Sequence, residues 1–160
     1  MRRTRPVILL TLSVLLCLTG CKRSTQAPSA TPRQPDRSFQ YVAGSPEETA
    51  GRWTVDLTGG GLLTVSHQAV GKVASHSSHF LSDEETGHVW KVIDQAKLDS
   101  PPSAEASPTA GAIQFVLEQS GRTSRVTRAP AAVSGSAGLS ALQAELRRLV
   151  EQHAGQKLPL

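Results

Sequence analysis

Between Arg52 and His153 the apolar residues switch from a spacing of two to a spacing of three and four, and then do so again. That double switch restricts the chain to a sheet with helices laid against it. Trp53, Val55 and Leu57 share one face of a strand from Arg52 to Thr58, and Gly59-Gly60-Gly61 supplies a turn. A second strand, Leu62 to His67, follows with Leu63, Val65 and His67 on one face. Ser82 with Glu85 three residues on makes a capping box. Val89, Trp90, Ile93 and Ala96 then form a helical stripe that Gly87 weakens by about 1 kcal/mol. Ile113, Phe115 and Leu117 alternate in a third strand, Ala112 to Glu118, whose hairpin partner Arg122 to Arg128 follows the Ser120-Gly121 turn. Ser140 with Gln143 repeats the capping pattern ahead of the stripe Leu139, Leu142, Leu146, Leu149 and His153. Gln68 to Phe80 fits a bulged strand or an irregular loop equally well. The expected fold is a small α+β domain: a mostly antiparallel four-stranded sheet, order ββαββα, with two helices on one face.

The chain ahead of this domain is of another kind. Arg2, Arg3 and Arg5 precede an apolar run from Val7 to Leu18, which is shorter than the roughly 20 residues a membrane-spanning helix needs. The run ends in Leu18-Thr19-Gly20-Cys21, with Lys22-Arg23 directly after it. These four residues resemble the lipobox of bacterial lipoproteins. The resemblance implies that residues 1–20 are a signal peptide and that Cys21 becomes the acylated first residue of the mature protein. Acylation there implies a cell-envelope protein held by lipid, with each buried methylene adding about 0.8 kcal/mol of membrane affinity. Lys22 in place of aspartate at the second mature position implies an outer-membrane destination facing the periplasm, where there are two membranes.

Removal of the signal changes the composition in two ways. Of 17 Lys and Arg against 13 Asp and Glu, the loss of Arg2, Arg3 and Arg5 leaves 14 against 13, and a near-neutral protein has little electrostatic attraction for nucleic acid. The two cysteines are Cys17, inside the signal, and Cys21, so the domain must be held by its core without a disulfide. Residues 21–50, with Pro28, Pro32, Pro35 and Pro46, are expected to be a disordered linker. Within it Phe39-Gln40-Tyr41-Val42 is the one apolar cluster, with an added strand or a docking segment as the alternative. The expected domain is 51–156, and 157–160 a tail.

The layout from Arg52 to His153 resembles a group of small bacterial proteins that includes the emfourin-type inhibitors of thermolysin-like metalloproteases. The shared features are a first strand entering Gly59-Gly60-Gly61, a Ser-Asp-Glu-Glu helix start at Ser82 to Glu85, a proline-containing loop, a hairpin at Ser120-Gly121 and a closing leucine helix. The resemblance implies inhibitor-like binding to another protein. It carries over no functional residue, and the histidine-rich Ser66 to His79 stretch departs from it.

His67, His76 and His79 are the candidate metal ligands, because imidazole suits zinc or copper. On an extended strand His76 and His79 point to opposite faces, so a site would need a turn between them, and the expectation is no metal and no cofactor. Ser77 and Ser78 beside His79 are neighbours in sequence without the geometry of a nucleophile and its base. Arg122, Arg125 and Arg128 recur every third residue, which on a strand turns Arg125 away from the other two. These features favour a non-enzymatic, lipid-tethered module that binds an envelope protein. The alternative is a metal- or small-ligand-binding lipoprotein that uses the histidine segment.

Overall fold

The computed structural model describes residues 34–45, 47–72, 74–99 and 111–158. Cys21 and the signal segment lie outside the described residues. The elements run β1 (Arg37–Ala43), β2 (Arg52–Thr58), β3 (Leu62–Gln68), β4 (Ser75–Phe80), α1 (Asp83–Gln95), β5 (Ile113–Gln119), β6 (Arg122–Arg128), α2 (Pro130–Ser134) and α3 (Ala137–Ala154). All six strands form one antiparallel sheet in the order β4-β3-β2-β1-β5-β6. The α+β class is as expected, but among the described residues the sheet has six strands instead of four, and there are three helices instead of two.

The largest correction is β1. It lies in the stretch expected to be linker, yet it occupies an inner position in the sheet, between β2 and β5. Phe39 pairs with Leu57 on one side and Leu117 on the other, and Tyr41 with Val55 and Phe115. Both rings are buried, and Tyr41 meets Phe115 edge to face with centroids 5.5 Å apart. Three apolar side chains among prolines look too few to order a segment, but two neighbouring strands supply the rest of the burial. The domain therefore begins before Gly51.

The unresolved choice over Gln68 to Phe80 falls to a strand at its far end, since β4 pairs with β3 from Leu62↔Phe80 to His67↔Ser75. A short helix, α2, with Pro130 in its first turn, lies between β6 and the closing helix and places Val133 in the core. The closing helix starts one turn earlier than Ser140. Ser136 is its N-cap, accepting from Leu139 N at 3.5 Å, and Ser140 lies inside the first turn. Gln143 is consequently a buried residue that donates to the Tyr41 hydroxyl at 3.3 Å. Burial pushes the Tyr41 phenol up, with the Gln143 bond partly opposing it. Beyond the expected domain end, Leu158 also joins the core.

The core lies on one face of the sheet. Val55, Leu57, Leu63, Val65, Phe115 and Leu117 meet Val89, Trp90 and Ile93 of α1 and Leu142, Leu146, Leu149 and Val150 of α3. The opposite face is largely polar, apart from Val42, Leu62, Phe80 and Val116, and is uncovered by the three helices, with cross-strand bonds from Gln40 to Asp56 at 2.8 Å, Ser38 to Glu118 at 3.0 Å and Thr64 to Ser78 at 3.1 Å.

Candidate functional site

The three histidines are not brought together. His76 projects from the open face, with Nδ1 3.0 Å from the Ser66 hydroxyl. His67 and His79 lie on the helix side, opposite Ser75 and Leu63, so four residues of β3 separate their levels, a distance of roughly 13 Å. His67 stacks on Trp53 with ring centroids 4.1 Å apart and places Nε2 3.0 Å from the Ala50 carbonyl. His79 lies 6.0 Å from the His153 ring. Among the described residues no group of three or more His, Cys, Asp or Glu is placed to hold a metal. On β6, Arg125 pairs opposite Val116 while Arg122 and Arg128 fall on the other side of the pleat, so the arginines do not focus on one point.

The first turn of α1 is a closed polar network. Ser82 N and Oγ donate to Glu85 Oε2 at 3.0 and 2.8 Å, and Glu85 N donates back to Ser82 Oγ at 3.2 Å, the reciprocal capping box expected from the sequence. From α3, Gln152 Nε2 donates to Glu85 Oε1 at 3.1 Å, and His153 Nε2 lies 2.9 Å from the same oxygen. The backbone bond from Ser82, the contact with His153 and the Ser82 hydroxyl together hold the Glu85 carboxyl down at about 2.

One turn further along α1 lies a cleft of about 580 Å³, bounded by the chain entering β1, the glycine turn after β2 and the flank of the helix. Gln34, Arg37, Gly59, Thr86, Trp90 and Asp94 line it, together with Gly87, Lys91, Gln95 and Lys97. Arg37 is the organising residue and is buried despite its charge. Its guanidinium forms an ion pair with Asp94, donates a hydrogen bond to Gln34 Oε1 at 3.0 Å, and stacks 4.3 Å from the centre of the Trp90 ring. Glycine at 59 permits this closure, because a Cβ there would stand 1.6 Å from the Gln34 carbonyl oxygen. Gly61, at φ +84°, lies against the Thr86 hydroxyl, and a Cβ there would come within 2.5 Å of it.

Beneath the cleft lie buried polar atoms without a protein partner. Six buried side-chain polar atoms lack a hydrogen-bond partner among the described residues, and Arg37 Nε, Thr86 Oγ1 and Trp90 Nε1 are three of them. All three belong to residues that line this one cleft and are 6% exposed. Sequence reasoning assigned Trp90 to the core stripe and Gly59 to a turn, but it missed the site because Arg37 lay in the supposed linker, 57 residues from Asp94.

No known protein-family model matches the chain, and no curated protein matches it. Among the described residues no helix is long and apolar enough to cross a membrane.

Proposed function

We propose that this chain is a lipid-anchored cell-envelope protein whose domain is a non-enzymatic module for binding another envelope protein. The observation that carries the reading is the asymmetry of the sheet. One face is packed by three helices, while the other is a six-strand-wide, largely polar surface that also carries the exposed Phe80, with β4 and β6 at its two edges. An extended partner segment can pair with a sheet edge or lie across such a face. The lipobox-like Leu18-Thr19-Gly20-Cys21 supports attachment through acylated Cys21, and Arg37 rather than Gly51 as the first strand residue shortens the tether. From Cys21 to Arg37 the chain reaches at most about 55 Å when fully extended, so partners close to the membrane surface are favoured. An inhibitor of an envelope protease is a special case of the same reading. The separation of His67, His76 and His79 gives the metal-binding alternative no support.

The test is capture from native envelope. Wild-type chain labelled with palmitate is expected to retain one stoichiometric protein partner in gentle detergent, and Cys21→Ser is expected to lose the label. Persistent labelling of Cys21→Ser would reject the anchor, and recovery of the chain alone would reject the interaction module.

A further inference from the structure

We infer that β4 is a self-association edge, at which two copies of this chain join their sheets antiparallel about Ser78. This interaction goes beyond the binding of another envelope protein. β4 ends the sheet, and its register with β3 fixes which of its backbone groups are free. Leu81 N donates to the Gly61 carbonyl at 2.9 Å, next to the Leu62↔Phe80 pair. Hydrogen-bonded residues alternate along an antiparallel ladder, so Ser75, Ser77 and His79 bond inward to β3, while His76, Ser78 and Phe80 turn their N–H and C=O groups outward. No backbone bond from a turn or loop among the described residues reaches these three.

The strand is complementary to itself. With Ser78 opposite Ser78 of a second copy, His76 of each copy faces Phe80 of the other, and the outward groups of both strands close about six backbone hydrogen bonds. Sliding either way carries Phe80 or His76 past the end of the facing strand. Phe80, 77% exposed in the single chain, gains an imidazole across the seam. Charge agrees with a second copy as the occupant. β4 contains no Asp, Glu, Lys, Arg or Pro, the residues that usually guard a free edge, whereas β6 at the other edge carries Arg122, Arg125 and Arg128 and repels a copy of itself. The antiparallel pairing also brings exposed Lys72, ahead of β4, toward exposed Glu84, in the first turn of α1 beyond it, once on each side of the two-fold axis.

The lipid tether proposed for Cys21 favours the same arrangement, although the seam itself does not depend on it. In the joined sheet the two β1 strands lie seven spacings apart, roughly 34 Å at about 4.8 Å each. The two-fold axis stands perpendicular to the sheet, so both chains leave it at one height, and tethers of at most about 55 Å reach a common membrane. A seam of one short strand is small beside the roughly 800 Å² per partner of a standard interface, so the dimer is weak and gains from confinement to one surface.

The test is sedimentation of the full chain in detergent over a concentration series, with charge swaps at Ser78, which is exposed on the open face. Wild type is expected to pass from monomer to dimer. Ser78→Lys and Ser78→Glu are each expected to dimerise about fivefold to tenfold more weakly, because like charges meet at the seam, and an equimolar mixture of the two to regain the wild-type affinity. Phe80→Ser is expected to weaken the dimer about threefold, and Arg125→Gln, on the far edge, to leave it unchanged. Wild type that stays monomeric overturns the proposal, as does a dimer that Ser78→Lys leaves intact. Weakening by both charges that the mixture does not relieve overturns the register about Ser78. Should a Ser78 variant fail to melt cooperatively, Phe80→Ser decides, since an undiminished dimer there overturns the seam. A chain that dimerises as described but captures no envelope protein supports the seam and rejects only the interaction reading.

Discussion

The two sides of α1 differ in how their polar groups are treated. At the N-terminus the Glu85 carboxylate accepts from Ser82 twice and also meets Gln152 and His153. Beside it in sequence Thr86, and one turn on Trp90, bury polar atoms that meet no partner among the described residues. A satisfied network ties α1 to α3 and contributes stability, whereas a buried polar atom without a partner costs about 1–3 kcal/mol. Adjacent residues on one helix thus divide between a polar group that fastens the fold and one that is buried without a partner among the described residues.

Both sides rest on the same core, so breaking the core is expected to have the largest effect and to act on both. Phe115→Ala and Leu146→Ala each remove a fully buried side chain and are expected to cost about 2–5 kcal/mol in denaturant unfolding. Loss of less than about 1 kcal/mol at either position would mean that the sheet and α3 are not packed as described.

Next in size is the fastened side. Glu85→Gln removes the charge from the capping box and weakens the contact with His153, at an expected cost of about 1–2 kcal/mol in the same assay. Its pH dependence has a definite sign. The Glu85 carboxyl is held at about 2 against an ordinary 4.5, so its contribution is complete above about pH 4.5 and is lost as the pH falls toward 2. Wild type is expected to lose stability through that window more steeply than Glu85→Gln, and parallel acid curves would show that the network is not coupled to folding.

The smallest expected change lies away from both. His76→Ala removes an exposed bond to Ser66 and is expected to shift stability by no more than about 0.5 kcal/mol, with or without added zinc. A zinc-dependent melting temperature abolished by this change would revive the histidine segment as a ligand site.

The fastened side was legible in the sequence and the unsatisfied side was not. A Ser-x-x-Glu pattern and a stripe of Val89, Trp90 and Ile93 are local, so spacing alone reveals them. Leu139, Leu142, Leu146 and Leu149 were legible for the same reason, although Ser136 rather than Ser140 caps their helix. Ser140 looked like a cap because a serine inside the first turn satisfies the same short pattern. β1 depends on pairing with β2 and β5, across separations that no window of sequence spans, and Arg37 depends on β1. The cleft needs Gln34, the Gly59 turn and α1 together, so none of its parts is conspicuous alone.

Glu85 and Thr86 are neighbours, and the most direct measurement is a paired thermal melt of Glu85→Gln and Thr86→Val in the full chain. Glu85→Gln is expected to lower the melting temperature, while Thr86→Val, which replaces an unpaired buried hydroxyl with a methyl group, is expected to leave it unchanged or raise it. A loss in Thr86→Val as large as that in Glu85→Gln would show that the Thr86 hydroxyl already has a structural partner, and would contradict the division of α1 into a fastened side and an unpaired side.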